Sequence, residues 1–277
     1  MTLTGADRQK FLNSFCTNDV SRLSPSETCE AFITNVKGKV MGLGLVDFRE
    51  QELVFITVPQ QAPALIEHLD RYVIREDVQL RDTTAERAYF FCGPIRAAIA
   101  GPPARWIGWR LLGPNAGGLV EVAAADAATL RQSLTDRQLG PCGMAAFDAL
   151  RVEADMPLFG VDFDASNLPQ EVARNDRAIS FTKGCYLGQE TVARIEGGGN
   201  VKRELTGEQS GGGGVPAAGT ELTHGGSVAG RVTTATFSPR LDGPLALAMV
   251  RREWLAPGTR LETPVGPCDV IMLPVDA

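Results

Sequence analysis

Through residues 29–58, apolar and polar positions alternate in short runs separated by the turn signals NVKGK and DFREQE. A period of two, broken by Gly, Asn and Asp, predicts a meander of strands. Residues 60–73, QQAPALIEHLDRYV, change period: Leu65, Leu69 and Tyr72 or Val73 fall at helical spacing and predict an amphipathic helix. VQLRD and RAYFFCG then predict strands, PIRAAIA a helix, and WIGWRLLG and GGLVEVA two more strands. AADAATLRQSLTDRQL reads as a helix with Leu130 and Leu134 at i, i+4. GMAAFDALRVEAD reads as another, with Met144, Phe147 and Leu150 on one stripe. Strands and helices interleave but hairpins are common, which predicts an α+β fold rather than a doubly wound parallel sheet.

The pattern then gives way to a long irregular stretch, 156–194, rich in Asp, Asn, Gly and Pro. Compact domains rarely carry such a connection unless it does something. GGGN and EQSGGGGVPAAG punctuate residues 197–219. From 220 onward, short strands broken by HGGSVAG, SPRLDGP, APG and TPVGP predict a small all-β domain, a barrel or a sandwich. The expected division is therefore 1–198, an α+β region, and 199–277, a β domain.

Composition narrows the function classes. At 277 residues the chain has room for two domains or one large one, and its 44% apolar share is that of a globular protein. No apolar run approaches the ~20 residues of a membrane helix. The opening MTLTGADRQK lacks the basic start and apolar block of a secretory signal. A soluble, cytoplasmic chain with no membrane partner is the expectation. The net charge of −6 argues against strong nucleic-acid binding, and the pairs Lys202, Arg203 and Arg251, Arg252 read as solvated strand ends. Six cysteines stand at 16, 29, 92, 142, 185 and 268, never as CxxC. That spacing suits neither a zinc knuckle nor a disulfide scaffold, so no metal site is expected and the thiols read as reduced and mostly buried. His68 and His224 read as structural.

The densest polar cluster is ISFTKGCYLGQETVARIE, residues 179–196. Lys183, Cys185, Tyr186, Gln189, Glu190 and Arg194 offer a cation, a thiol, a phenol, an amide, a carboxylate and a guanidinium. Gly184 and Gly188 allow a tight turn. A lysine two residues from a cysteine favours its thiolate if the ammonium is near. The spacing alone leaves open whether Cys185 faces the lysine or the core.

KGCYLGQE, residues 183–190, resembles the complete K-G-C-Y-x-G-Q-E signature of the YgfZ family, relatives of the glycine cleavage T-protein. The order of other landmarks fits the same family: LTGADRQKFL and TNDVSRL near the start, NVKGKV at 35–40, ALRVEADMPLFGVDF at 149–163 and LPQE at 168–171. The resemblance implies three subdomains around a central opening that binds tetrahydrofolate, two within 1–198 and a C-terminal β-barrel in 199–277. It also implies a part in assembling or repairing iron–sulfur clusters of particular enzymes, with Cys185 as reactive group. The implied partners are folate and iron–sulfur client enzymes or assembly proteins.

Pterin chemistry adds one residue. The pterin's amino-pyrimidinone edge presents two parallel N–H donors, which a carboxylate accepts as it accepts an Arg fork. In the T-protein a glutamate of an R-x-E-A-G motif is implied in that role. Here RVEAD supplies Arg151 and Glu153, with Asp155 in place of the glycine. Lys183 or Arg194 is the candidate for the anionic folate tail. One departure is functional: where the T-protein has G-G-x-x-D-D, this chain reads GKVMGL, residues 38–43, with Gly42 and Leu43 in place of the acids. Without a carboxylate to orient or deprotonate the amine, no glycine cleavage transfer is expected. The leading reading is thus a tetrahydrofolate-binding accessory protein for iron–sulfur enzymes. The alternatives are a folate-dependent one-carbon (aminomethyl or methyl) transferase using Glu190 or Asp155, and a scaffold that has lost its ligand.

Overall fold

A short strand, β1 (Thr2–Thr4), and a helix, α1 (Arg8–Asn13), precede the expected meander, which forms β2 (Thr28–Thr34), β3 (Val40–Phe48) and β4 (Leu53–Ile56). The helix expected at 60–73 is α2 (Ala62–Asp70), with a proline in its first turn and Ala62, Leu65, His68 and Leu69 buried. Next comes β5 (Gln79–Arg81), and the five strands make an antiparallel sheet in the order β2-β3-β4-β1-β5. A second antiparallel sheet, β6-β8-β7, is built from β6 (Arg87–Cys92), β7 (Arg105–Gly108) and β8 (Gly118–Ala123). The structure, a computed structural model, describes residues 1–93, 104–108, 117–196 and 201–275. The helix expected at 94–100 and the second half of the strand expected at 106–113 lie outside the described residues.

The chain gathers into two compact units. The first comprises Met1–Arg110, Asn115–Pro141 and Arg174–Arg194. Its main core lies between the five-stranded sheet and the helices: Leu3, Phe11, Leu12, Ile33, Val46, Phe55, Leu65 and Leu69. On the opposite face, Leu45, Val54 and Ile56 pack against Ile107 and Leu119 of the second sheet. Beside that contact, Asp47 pairs with Arg49 at 2.7 Å and Arg105 at 2.7 Å, and Glu121 with Arg49 at 2.6 Å and Arg87 at 2.9 Å. Helix α3 (Ala127–Asp136) follows β8 as expected, with Leu130 and Leu134 against Cys92 and Val120.

The second unit comprises Leu111–Pro114, Cys142–Ala173 and Ile195–Ala277. Its centre is a closed six-stranded barrel in the order β10-β11-β12-β9-β14-β13, every pair antiparallel. The strands are β9 (Arg203–Ser210), β10 (Glu221–His224), β11 (Ser227–Ser238), β12 (Gly243–Arg251), β13 (Arg260–Thr263) and β14 (Gly266–Ile271). The expected α+β class and C-terminal barrel are thus present. Residues 142–173 also belong to this unit, so the chain enters it well before the break expected at 198.

Three sequence expectations need correction. The first strand of the barrel lies inside the stretch read as punctuation, because RELTGEQS carries polar residues at every alternate position and gives no apolar signal. The stretch 156–194 is not irregular throughout: it contains a 3-10 turn at Pro169–Val172, a short helix α5 (Asn175–Ala178) and a helix α6 (Gln189–Glu196). The third concerns α4 (Met144–Glu153), which forms as predicted but turns its apolar stripe outward. Met144 is 68% exposed and Leu150 42%, while Ala149, Arg151, Val152 and Glu153 are buried. Val152 packs on the outer side of the barrel against Leu205, Leu245 and Leu247.

Charge, more than that small apolar patch, ties α4 to the barrel. Arg151 is 2% exposed and donates to Asp148 at 2.7 Å, Asp162 at 2.9 Å, the Met156 carbonyl at 3.2 Å and Thr234 Oγ1 at 2.8 Å. Asp162 in turn accepts from Thr233 and Thr234, each at 2.7 Å, and from the Leu158 N–H at 2.9 Å. Removing one member of a buried pair leaves the other charge uncompensated. Arg151→Met is expected to lower the unfolding free energy by about 3–5 kcal/mol, measured by urea denaturation.

Candidate functional site

The residues singled out by sequence lie on two pieces of structure. Lys183, Cys185, Tyr186, Gln189, Glu190 and Arg194 belong to the first unit, Arg151 and Glu153 to the second.

In the first unit the 183–190 segment is fastened at several points to α1 and the β2–β3 hairpin. Lys183, 7% exposed, donates from Nζ to the carbonyls of Asn13 at 2.7 Å, Cys16 at 2.8 Å and Asn18 at 2.7 Å. Its ammonium also sits 5.1 Å from the centroid of the Tyr186 ring. Burial draws its pKa below the usual lysine range, a shift opposed by Cys16 and Asp19. The N–H of Leu187 donates to Ser14 O at 2.9 Å, and Thr34 Oγ1 donates to Leu187 O at 2.6 Å. Gly188 has φ +82°, and a Cβ there would lie 2.3 Å from the Asn35 carbonyl and 2.7 Å from Gly38 Cα. Only glycine fits that crossing. Gln189 Oε1 accepts from the Tyr186 N–H at 3.3 Å, closing the turn that leads into α6.

Between these fastenings Cys185 is exposed. An ammonium has three N–H donors, and the Lys183 ammonium directs them at the carbonyls of Asn13, Cys16 and Asn18. Glu190 and Arg194 are exposed on α6, where either is open to an incoming group.

Burial separates the six thiols. Cys16, Cys92 and Cys268 are buried, Cys29 is half-buried, and Cys142 and Cys185 are exposed. Desolvation raises Cys16 to about 11 and Cys29 to about 12. No group of three His, Cys, Asp or Glu side chains among the described residues is arranged to hold a metal ion. His68 is buried with Nε2 3.0 Å from the Thr34 carbonyl, in a structural position.

In the second unit Glu153 ends α4 and is 6% exposed. Its Oε1 accepts from Ser238 Oγ at 2.5 Å and the Arg240 N–H at 3.4 Å. Among the described residues, Oε2 faces the Arg240 guanidinium alone, at 3.8 Å. A carboxylate has about four acceptor positions, so Oε2 keeps capacity for further donors. Arg151 and Glu153 are not a surface helix pair: each is buried with its own partners. Arg151, with its donors on Asp148, Asp162, Met156 and Thr234, holds the helix rather than offering itself to a ligand.

Strand β3 explains the missing acids. A side chain at Gly42 would meet Gln61 Nε2 at 3.0 Å and Leu65 Cδ2 at 3.2 Å. Gln61 donates to the Met41 carbonyl at 2.8 Å and accepts from Thr57 Oγ1 at 2.5 Å. A neutral amide thus fills the space beside Gly42.

Sequence reasoning missed two carboxylates. Glu30 holds Arg174 through bonds of 2.8 and 2.7 Å, and Asp162 holds Arg151. Glu30 stands 144 residues from its partner, so no local spacing signals the pair.

A family model described as the glycine cleavage T-protein C-terminal barrel domain matches residues 203–274, the span of the six-stranded barrel. An aminomethyltransferase of Streptomyces avermitilis is 30% identical over 94% of this chain and 77% of its own length. The chain belongs to the glycine cleavage T-protein family. An aminomethyltransferase of Symbiobacterium thermophilum is 37% identical over 52% of this chain and 39% of its own length. Among solved structures, the glycine cleavage system aminomethyltransferase T of Bartonella henselae superposes with a TM-score of 0.87 at 20% identity, covering 99% of this chain and 83% of that one. That likeness establishes a T-protein-like fold. No helix among the described residues is long and apolar enough to cross a membrane.

Two measurements follow from this T-protein-like chain. Titration of the native protein with an aromatic disulfide reagent at neutral pH is expected to modify Cys142 and Cys185 fast and the other four only on unfolding; peptide mapping identifies them. Lys183→Met takes the ammonium donor from the Asn13 and Cys16 carbonyls and one of several donors from the Asn18 carbonyl. It is expected to destabilise the chain by roughly 3 kcal/mol or more, measured by urea unfolding.

Proposed function

We propose that this chain binds a reduced folate and works on or beside its one-carbon group, without performing the aminomethyl transfer of glycine cleavage. Folate binding is supported by membership of a family of folate-dependent aminomethyltransferases along nearly the whole chain. The observation that carries the departure is at β3, where Gly42 and Leu43 stand in place of the acids and the Gln61 amide fills the adjoining space. An amide neither takes a proton from the substrate amine nor balances its charge.

The residues fit a pterin in part. Glu153 is a buried carboxylate with acceptor capacity left on Oε2, and it would hold the pterin edge by charge-assisted hydrogen bonds. Within the first unit, Glu190 and Arg194 are exposed on α6, with Tyr186 and Gln189 in the turn that leads into it; these four are the folate-binding residues proposed for that unit. When bound, tetrahydrofolate would supply the one-carbon acceptor chemistry. Cys185 is the proposed reactive group of the protein itself.

A second reading is favoured by one feature, the complete KGCYLGQE motif with its cysteine turned outward. On that reading the folate-loaded protein assists assembly or repair of iron–sulfur clusters in particular enzymes. Its partners would be those client enzymes or their assembly proteins.

Anaerobic calorimetric titration with tetrahydrofolate, run beside Glu153→Ala, tests the main reading. Binding in the micromolar range is expected, weakened about tenfold or more in the variant by loss of bonds to a charged acceptor. Transfer from a lipoyl carrier loaded with the aminomethyl group is expected at background. No binding by the wild type overturns the folate reading, and turnover above background overturns the loss of transfer. Failure of Cys185→Ser to restore iron–sulfur enzyme activity in a deletion strain, where wild type restores it, favours the second reading.

A further inference from the structure

Strand β9 places Glu204, Thr206, Glu208 and Ser210 at alternate positions, hence on one face of the strand. The register sets Glu208 opposite Ala246 of β12 on one side and Val270 of β14 on the other. Both neighbours belong to the apolar interior of the barrel, with Leu222, Val232 and Leu261. Glu208 therefore points inward, and it is 2% exposed. Among the described residues no N–H or O–H group donates to either of its carboxyl oxygens; the neighbouring Cys268 thiol is a weak donor. It lines a cavity of about 10 Å³ together with Ser210, Leu222, Val232 and Cys268. That is room for about one water and none for a hydrated counter-ion.

The groups around it make ionisation harder. Burial and the Asp269 carboxylate of β14 oppose the charge, the Cys268 thiol beside it offsets them in part as a weak donor, and Leu222, Val232, Ala246 and Thr263 line the cavity from β10, β11, β12 and β13. Glu204 shares its strand face, and Arg252 acts on Glu204. No cation among the described residues acts on Glu208. A charge in such a place has no cation beside it and room for about one water. Burial pushes the Glu208 carboxyl up to about 8 and the Cys268 thiol up to about 12.

We propose that the barrel carries a proton-operated lock: Glu208 closes it as the neutral acid, and loss of that proton loosens β9 against β14 and opens the Cys268 thiol to solvent. The unfolded chain releases this proton near pH 4.5, whereas the barrel keeps it to about pH 8. Between those values the folded state holds more protons than the unfolded one. The contribution of Glu208 to stability therefore falls as pH rises through the window and levels off above it.

The test compares the full chain with Glu208→Gln, which keeps the shape and cannot ionise. Urea unfolding is followed from about pH 5 to about pH 9. Relative to the variant, the unfolding constant of the wild type is expected to rise by up to about tenfold per pH unit. Alkylation of native Cys268, read by peptide mapping, is expected to accelerate toward alkaline pH in the wild type more than in the variant. A wild-type-to-variant ratio that does not change with pH overturns the lock. If Glu208→Gln does not fold, infrared spectroscopy of the Glu204→Gln protein decides. A protonated-carboxyl band at neutral pH that fades reversibly toward alkaline pH supports the lock, and absence of that band overturns it.

Discussion

A buried ammonium with three backbone carbonyls around it holds the first unit's most distant pieces together. Lys183 reaches Asn13, Cys16 and Asn18, residues 165 to 170 positions earlier in the chain. These carbonyls belong to the end of α1 and the turn after it, where helical carbonyls have run out of N–H partners. A cation at that place satisfies the carbonyls and meets the negative end of the helix dipole. Take the lysine away and the Asn13 and Cys16 carbonyls lose their donor together, while Asn18 keeps the Val20 N–H. Its neighbours complete the attachment: Leu187 bonds in both directions, and Gly188 crosses so close to Asn35 and Gly38 that no side chain is possible. Gly184 and Cys185 are exposed between Lys183 and Tyr186, which are buried.

The second unit uses a guanidinium in the same way. Arg151 has five donors in a planar fork and distributes them among two carboxylates, a carbonyl and a hydroxyl. Asp162 collects that charge and passes the connection to adjacent threonines of β11. Glu153, two residues further along α4, is thereby held at a fixed height beside Ser238. Buried ion pairs of this kind fix a geometry more than they add net stability, since desolvation offsets much of the attraction. In both units the charged residues nearest the proposed ligand contacts are anchors, and the contacts themselves are what the anchors present.

That division was hidden in the sequence. Period-two alternation with turn residues identified the meander and the β-rich C-terminal region, and period 3.6 identified α2, α3 and α4, because those signals are local. The motif KGCYLGQE marks residues 183–190 as a segment. It could not say that Lys183 bonds to α1 rather than to Cys185, since spacing in sequence says nothing about a partner 170 residues away. The apolar stripe of α4 misled for a related reason: Arg151 and Glu153 go inward because specific partners await them, and Met144 and Leu150 are left outside. Strand β9 escaped notice because its alternate residues are polar, and one of them, Glu208, is polar where barrels are ordinarily apolar.

The loss at Gly42 and the exposure of Cys185 bear on the same question. An acid on β3 would act on an amine held against that strand, yet the space there is taken by Gln61 and Leu65, whose hydrogen bonds and packing are already complete. A side chain at position 42 would crowd the Gln61 amide at 3.0 Å and the Leu65 methyl at 3.2 Å, so a carboxylate there needs both side chains to shift. Meanwhile a thiol stands in the open on a segment fastened at Lys183 on one side and at Leu187 and Gly188 on the other. A group held so firmly is preorganised, and being exposed, it can be reached from solvent by a partner as large as a protein. On the proposed reading, the chemistry rests on that outward thiol in the first unit and on the buried carboxylate of Glu153 in the second.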